Sequence, residues 1–250
     1  MGYGESRTTS DEDVMKRTLV LLTLNEIEGV TALFDRIPFD AADESLVVDG
    51  GSTDGTVEFF TSRGVRVVGQ EKKGRGEAFR VAFDGSTGDI LCFFSPDGNE
   101  DPADIPRLFE NVEAGADMAI ARRFGEGARN EEDDLALPWR AWANQAFTLL
   151  ANVAFNLPNV LRERGAYVRD TINGYRAITR EAFQRLSVDA EGFLIEYQMT
   201  MRALKLGMKV VEIPTIEHDR IGGQSTASSL STGLRFVRGL AREILVGRRF

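Results

Sequence analysis

The chain has 250 residues, 42% of them hydrophobic, and a formal net charge of −9. That is the size of one ordinary soluble domain, or one domain with an appendage, and the acidic balance excludes a general nucleic-acid binder, which needs a basic face. A lone Cys92 excludes an intrachain disulfide; a lone His218 excludes the usual His/Cys zinc site and leaves a Ser-His-Asp triad only that residue to rest on.

In chain order, residues 1–16 are polar and acidic, lack the apolar h-region of a signal peptide, and read as a disordered leader. Residues 17–24 (RTLVLLTL) form a first buried strand and 27–36 a first helix; 46–49 and 56–63 repeat the pair, and 65–69 is a third strand. A helix over 76–83 follows the loop Lys72-Lys73-Gly74-Arg75-Gly76. The apolar strand 89–94 then leads to a helix at 105–114 and a strand at 117–121. Strands alternating with helices through short connections predict an α/β fold with a mostly parallel central sheet flanked by helices.

After Arg122 the pattern changes. Residues 125–137 are Gly- and acid-rich and read as a loop. Residues 138–155 read as a long helix, with Trp139, Trp142, Ala146, Leu149, Leu150 and Val153 on one side. Residues 170–178 and 208–214 read as further strands separated by a helix at 193–206. No apolar run approaches the ~20 residues that span a bilayer, so the expected compartment is cytoplasmic.

Four loops at strand ends carry chemistry, because ligands of open α/β sheets sit beyond the carboxyl ends of strands. Asn25-Glu26 ends the first strand, suited either to a base or ribose or to capping the next helix. Asp49-Gly50-Gly51-Ser52-Thr53-Asp54-Gly55-Thr56 ends the second. Its glycines let backbone approach a ligand, Asp49 can accept from a nucleoside, and Asp54 reads as a helix cap. Lys72 to Gly76 opens a helix with cations and backbone N–H groups, an anion site without the Walker A ending. The strand 89–94 runs into Ser95-Pro96-Asp97-Gly98-Asn99-Glu100-Asp101-Pro102. Its oxygen ligands suit Mg²⁺ or Mn²⁺ and hence a diphosphate; a surface turn is the alternative.

Thr23-Leu24-Asn25-Glu26, Val47 to Thr56, Lys73-Gly74-Arg75-Gly76 and Asp97 to Pro102 stand in the order and spacing of family-2 glycosyltransferases. The chain most resembles the dolichyl- and polyprenyl-phosphate sugar synthases. Asp170-Thr171-Ile172-Asn173-Gly174-Tyr175-Arg176 and Arg220 to Ser225 extend the resemblance to about nine-tenths of the chain. It implies a GT-A fold over residues 17–225, a UDP- or GDP-hexose donor, a divalent cation (Mg²⁺ or Mn²⁺), and inverting transfer to a polyprenyl or dolichyl phosphate. A soluble acceptor, or a non-catalytic sugar-nucleotide-binding subunit, is the alternative. By position, Asn25, Glu26, Asp49 and Gly51 would hold the nucleoside, and Lys73, Arg75 and Gly76 would lie near the donor. Ser95 and Asp97 would meet the diphosphate, and Asp97 with Asn99 the metal. The family usually has Asp where this chain has Ser95, and often a second Asp where it has Gly50.

Arg122, Arg123, Arg140 and Arg220 fall where that family binds acceptor phosphate, with Arg123 and Arg220 the preferred pair. Asp170 would orient the acceptor, serve as base, or cap Arg176. His218 is a second candidate base, beside a Gly222-Gly223 loop that could close over the site. Residues 226–250 read as a basic amphipathic helix, carrying five arginines against Glu243. It predicts either peripheral contact with a membrane surface or packing on the core.

Overall fold

The computed structural model describes residues 15–130, 132, 138–162, 165–221 and 229–250, with the side chains of 229–232 left aside. The expected leader, save its last two residues, and the loop at 222–228 lie outside the described residues. A seven-stranded sheet in the order β3-β2-β1-β4-β6-β5-β7 forms the middle layer. Its strands are β1 (Arg17–Thr23), β2 (Glu44–Asp49), β3 (Arg66–Gly69), β4 (Ile90–Phe94), β5 (Met118–Arg122), β6 (Arg176–Thr179) and β7 (Val210–Pro214). β1 pairs in parallel with β2 and β4, β2 with β3, and β5 with β7. β6 alone runs antiparallel, between β4 and β5.

The expectation for residues 170–178 is corrected by this geometry. Only Arg176–Thr179 is strand, and 170–174 is an irregular approach to it. Because β6 is reversed, its beginning lies at the edge where the other strands end. The Asp170–Gly174 segment therefore enters the functional edge from the opposite direction.

Successive residues of β1 face opposite sides, as the pleat requires. Val20 and Leu22 join Leu46, Val48, Phe79, Phe93, Ile195 and Met199 in one core. Leu19 and Leu21 join Val47, Phe60, Phe94, Leu108 and Phe109 in the other. Helices α3 (Arg75–Gly85), α7 (Arg180–Leu186) and α8 (Leu194–Leu206) cover the first face; α1 (Ile27–Leu33), α2 (Thr56–Ser62) and α4 (Ile105–Glu113) cover the second. Each such Leu, Val or Phe contributes about 1.5–3 kcal/mol when removed from water. That two-sided burial is why the strands read as unbroken apolar runs.

The second half adds α5 (Trp139–Ala151), which passes through a π turn at Asn152–Asn156 into α6 (Leu157–Leu161), and the C-terminal α9 (Ser229–Val246). α9 is fastened to the core by Phe236, which stacks on Tyr197 and meets Phe147 edge-on. Glu243 is buried against Arg202, Lys205 and Gln198 of α8. Core packing therefore accounts for one face of α9, while Leu234, Val237, Ile244 and Leu245 are exposed.

Candidate active site

Thr23 and Asp49 are register partners at the ends of β1 and β2. Both oxygens of the buried Asp49 are used within the protein. Oδ1 accepts from Thr23 Oγ1 (3.1 Å) and Ser52 Oγ, and Oδ2 accepts from the backbone N–H groups of Gly51 and Ser52, both at 2.8 Å. A carboxylate offers about four lone-pair directions, and all are filled. In this arrangement Asp49 shapes the loop at the end of β2. Asn25, at φ 56°, likewise accepts from Thr53 N–H at 2.8 Å, and its own N–H donates to Ser52 Oγ at 2.8 Å. Asp54 accepts from Thr56 N–H and Ile27 N–H, both at 3.0 Å, so one side chain caps both α1 and α2. Glu26 makes no side-chain cap on α1.

The ends of β1, β2 and β4 open into a cleft of about 460 Å³. Glu26, Gly50, Lys73, Arg75, Ser95, Asp97, Phe193, Arg220 and Arg235 line it. Of the expected donor residues, Gly51 is not on its wall but turns at φ 96° into open space. Gly76 faces away: a Cβ there would strike the carbonyl of Ala190, so this glycine serves close packing. Arg75 pairs with the buried Glu196 and donates to Ser95 Oγ at 3.3 Å. Burial alone would lower the Arg75 pKa, but the charges of Glu196 and Glu100 outweigh it and raise the value.

Asp97 is buried at the end of β4, its Oδ1 accepting from Asn99 N–H at 3.0 Å. The turn needs Gly98, at φ 100°, because a Cβ would meet Ile221 at 2.7 Å. The 218–221 segment lies on this turn: His218 N–H donates to Asn99 O (2.9 Å) and Ile221 N–H to Asp97 O (2.8 Å). The Asn99 amide donates to His218 O at 2.6 Å. Arg220 thereby reaches Asp97 Oδ2 at 2.6 Å and Glu26 Oε1 at 3.2 Å. The other oxygen of Glu26 is buried without a partner, and burial, opposed by Arg220 and reinforced by Asp97, raises its pKa to about 7.

Glu100 folds back so that its carboxylate accepts from Ser95 N–H at 2.6 Å. Burial and then the charge of Asp97 push its pKa up to about 8. A carboxylate consequently lies over residue 95 even though residue 95 is serine. Among the described residues no group of three or more His, Cys, Asp or Glu could hold a metal. Of the two carboxylates on the cleft wall, Asp97 and Glu26, Asp97 would suit a hard cation that takes its remaining oxygens from water and a diphosphate.

Beyond Phe193 lies a second groove, of about 200 Å³, walled by Trp139, Phe147, Ile172, Phe193 and Phe236, with Arg123 and Arg140 among its polar lining. Arg123 is not a solvated cation. It forms a two-point contact with Asp170 (2.8 and 3.1 Å) and reaches Glu217 at 3.5 Å. Burial would lower its pKa, but these carboxylates raise it well above the ordinary value. Asp170 also accepts from the N–H groups of Arg123 and Asn173, both at 3.1 Å. Its pKa is lowered, the Arg123 charge overcoming burial. Asp170 thus holds Arg123, while Arg176 donates to Asn173 O. Arg122 braces the carbonyls of Phe124 and Glu126, Arg140 pairs with Glu132, and the His218 side chain is exposed.

Sequence reasoning missed Glu100, Glu196, Glu217 and Phe193. Glu196 could have been found as the only acid in the otherwise largely apolar helix 194–206, and Glu100 lies within the motif itself. Phe193 carries no signal beyond following a glycine.

Comparison with known proteins shows the family and the fold. The family model described as glycosyl transferase family 2 matches residues 18–187. Glycosyltransferase AglJ of Haloferax volcanii is 30% identical over 205 residues, 82% of this chain, which spans 63% of that relative's length. Polyprenol monophosphomannose synthase of Mycolicibacterium smegmatis is 31% identical over 228 residues, covering 85% of this chain and 82% of its own. Glucosyl-3-phosphoglycerate synthase of Mycobacterium tuberculosis, in complex with Mn²⁺, UDP and glucosyl-3-phosphoglycerate, superposes with a TM-score of 0.66 at 23% identity over 94% of this chain and 80% of its own. At that identity the likeness speaks to fold, which is GT-A.

Proposed function

The chain belongs to glycosyl transferase family 2, and from that premise we propose that it moves a hexose from a nucleotide-diphosphate sugar in the cleft to a polyprenyl phosphate in the adjoining groove. The observation that carries the reading is the groove beyond Phe193: apolar along its walls, with arginines in its lining, and sharing one aromatic wall with the cleft. A prenyl chain matches the walls and a phosphate the arginines. Relatives named undecaprenyl-phosphate mannosyltransferase and dolichol-phosphate mannosyltransferase accord with it.

In this reading Lys73, Arg75 and Arg235 surround the donor diphosphate, with Asp97 and, as a lesser contributor, Asn99 holding Mg²⁺ or Mn²⁺. Such a cation would neutralise charge on the departing diphosphate. An acceptor phosphate oxygen attacks the anomeric carbon from the side opposite the diphosphate. The new C–O bond forms as the old one breaks, and the nucleoside diphosphate leaves with the electron pair. A phosphate monoester has a second pKa of about 6, so the nucleophile is ionised without a base. That agrees with a site in which Asp170 is fully engaged by Arg123. Arg123 would receive the phosphate by exchanging its long contact to Glu217 while keeping Asp170. No helix among the described residues is long and apolar enough to cross a membrane, so a lipid acceptor would be met at a membrane surface.

The test is transfer of radiolabelled hexose from UDP- and GDP-sugars into a lipid extract with Mn²⁺ or Mg²⁺. Label in the organic phase is the expected result. Label only in a water-soluble product would favour a soluble acceptor, the reading favoured by the phosphoglycerate-bound structural neighbour. No transfer from any donor by folded protein would refute both.

A further inference from the structure

The helical stretch from α5 to α6 has its polarity inverted. Its inward side carries Thr148, Asn152 and Asn156, all buried. Thr148 pairs with Thr171 (2.8 Å), Asn152 donates to Val168 O (2.8 Å) and Asn156 to Ala166 O (2.9 Å). Its outward side carries Trp139, Trp142, Leu149, Leu150, Val153, Leu157 and Leu161, each between 44% and 74% exposed. The exposed Ala146 bridges the seven-residue step from Trp142 to Leu149, and the steps of three and four on either side of it make one continuous stripe. A helix that satisfies its amides inside and turns tryptophan and leucine outward is built against an apolar neighbour.

Two observations identify that neighbour. Residues 138–162 contain no carboxylate, in a chain whose net charge is −9, and they carry Arg162 besides Arg140, whose charge is met by Glu132. Trp139 belongs both to the stripe and to the wall of the second groove, so the groove opens onto this face. We propose that the α5–α6 stripe is the surface by which the protein lies on an anionic lipid bilayer, its tryptophans at the headgroup level, so that the groove mouth meets the membrane. This rests on the lipid-acceptor reading. It moves the membrane contact from α9, where the sequence suggested it, to a helix with a wider exposed apolar face.

The experiment is co-sedimentation of the full chain with vesicles of phosphatidylcholine alone or mixed with phosphatidylglycerol. The unaltered protein is expected in the pellet, more with phosphatidylglycerol. The triple variant Leu149→Glu/Leu150→Glu/Val153→Glu is expected to lose roughly a hundredfold in partitioning. Because these side chains are already exposed, its melting temperature and its transfer to a short-chain, water-soluble prenyl phosphate should be unchanged. Pelleting of the variant like the unaltered protein would overturn the docking face. So would a dimer in sedimentation equilibrium that the variant abolishes without any vesicle binding, since a second copy would then be the occupant. Absence of transfer to the short-chain acceptor by the unaltered protein would sink the acceptor assignment alone.

Discussion

Ion pairs serve both sides of the site, but its loops are held differently. On the donor side, beside the pairs of Arg75 with Glu196 and of Arg220 with Asp97 and Glu26, Asp49, Asn25 and Asp54 tie the ends of β1 and β2 together through bonds to backbone N–H groups 2–28 residues away in sequence. On the acceptor side, Arg123 with Asp170 and Glu217, and Glu243 with Arg202 and Lys205, are charged pairs separated by 38–94 residues. The first kind preforms a loop that can receive varied ligands. The second places charges in low dielectric, where the loss of either partner is costly. Function should therefore be most sensitive on the donor side, and stability on the acceptor side.

That contrast can be broken at several points. Asp97→Asn should lower kcat/KM by roughly a thousandfold or more, with an unchanged urea midpoint; retained transfer would remove Asp97 from the chemistry. Arg123→Gln should instead cost about 3–5 kcal/mol in urea unfolding, because it leaves the buried charge of Asp170 without its cation. A loss no larger than that of a surface arginine would erase the distinction between the two sides. Glu243 supplies a test by pH. Burial would raise its pKa, but hydrogen bonds from Arg202, Lys205 and Gln198 hold it below its ordinary value of 4.5. A carboxylate lowered in this way stabilises the fold above its unfolded value and loses that contribution as the pH falls through the folded one. Amide exchange in α9 should rise below about pH 4.5, ahead of β1 and β2, and Glu243→Gln should remove that difference; simultaneous opening of all elements would contradict it.

Two smaller effects sharpen the comparison. A cation held by Asp97 would compete with Arg220 for Oδ2, so Arg220→Gln should tighten Mn²⁺ binding several-fold by electron paramagnetic resonance. Ser95→Ala should change kcat/KM by less than about threefold, since the hydroxyl makes one long contact, to Arg75, worth on the order of 1 kcal/mol at most.

The donor half was legible because its signals are local. Apolar runs closed by Asn25-Glu26, by Asp49-Gly50-Gly51 and by Asp97-Gly98 mark strand ends, and Asp54 announced a helix cap. The roles within those loops were not. Whether Asp49 points its lone pairs at a ligand or at its own backbone depends on φ at Gly51, which spacing does not reveal. The acceptor half was hidden for another reason. Nothing near Arg123 in sequence indicates that Asp170 and Glu217 will neutralise it, because the reversed β6 brings them together only in three dimensions. The apolar side of residues 139–153 was visible as a stripe, but periodicity does not say whether a stripe faces in or out. Its outward direction follows from Thr148, Asn152 and Asn156 claiming the inner side.

Phe193 has a consequence of a different kind. One ring separates the two chambers, and Arg75 approaches its face with the guanidinium 5.7 Å from the ring centroid. Between a nucleotide sugar and its acceptor, such a partition governs whether water can intercept the anomeric carbon. Shrinking it in Phe193→Ala would join the chambers through a wet gap. The variant would then be recognised by its product ratio, free hexose gaining on glycosylated acceptor, and Phe193 would be a guard of fidelity that touches no proton and no metal.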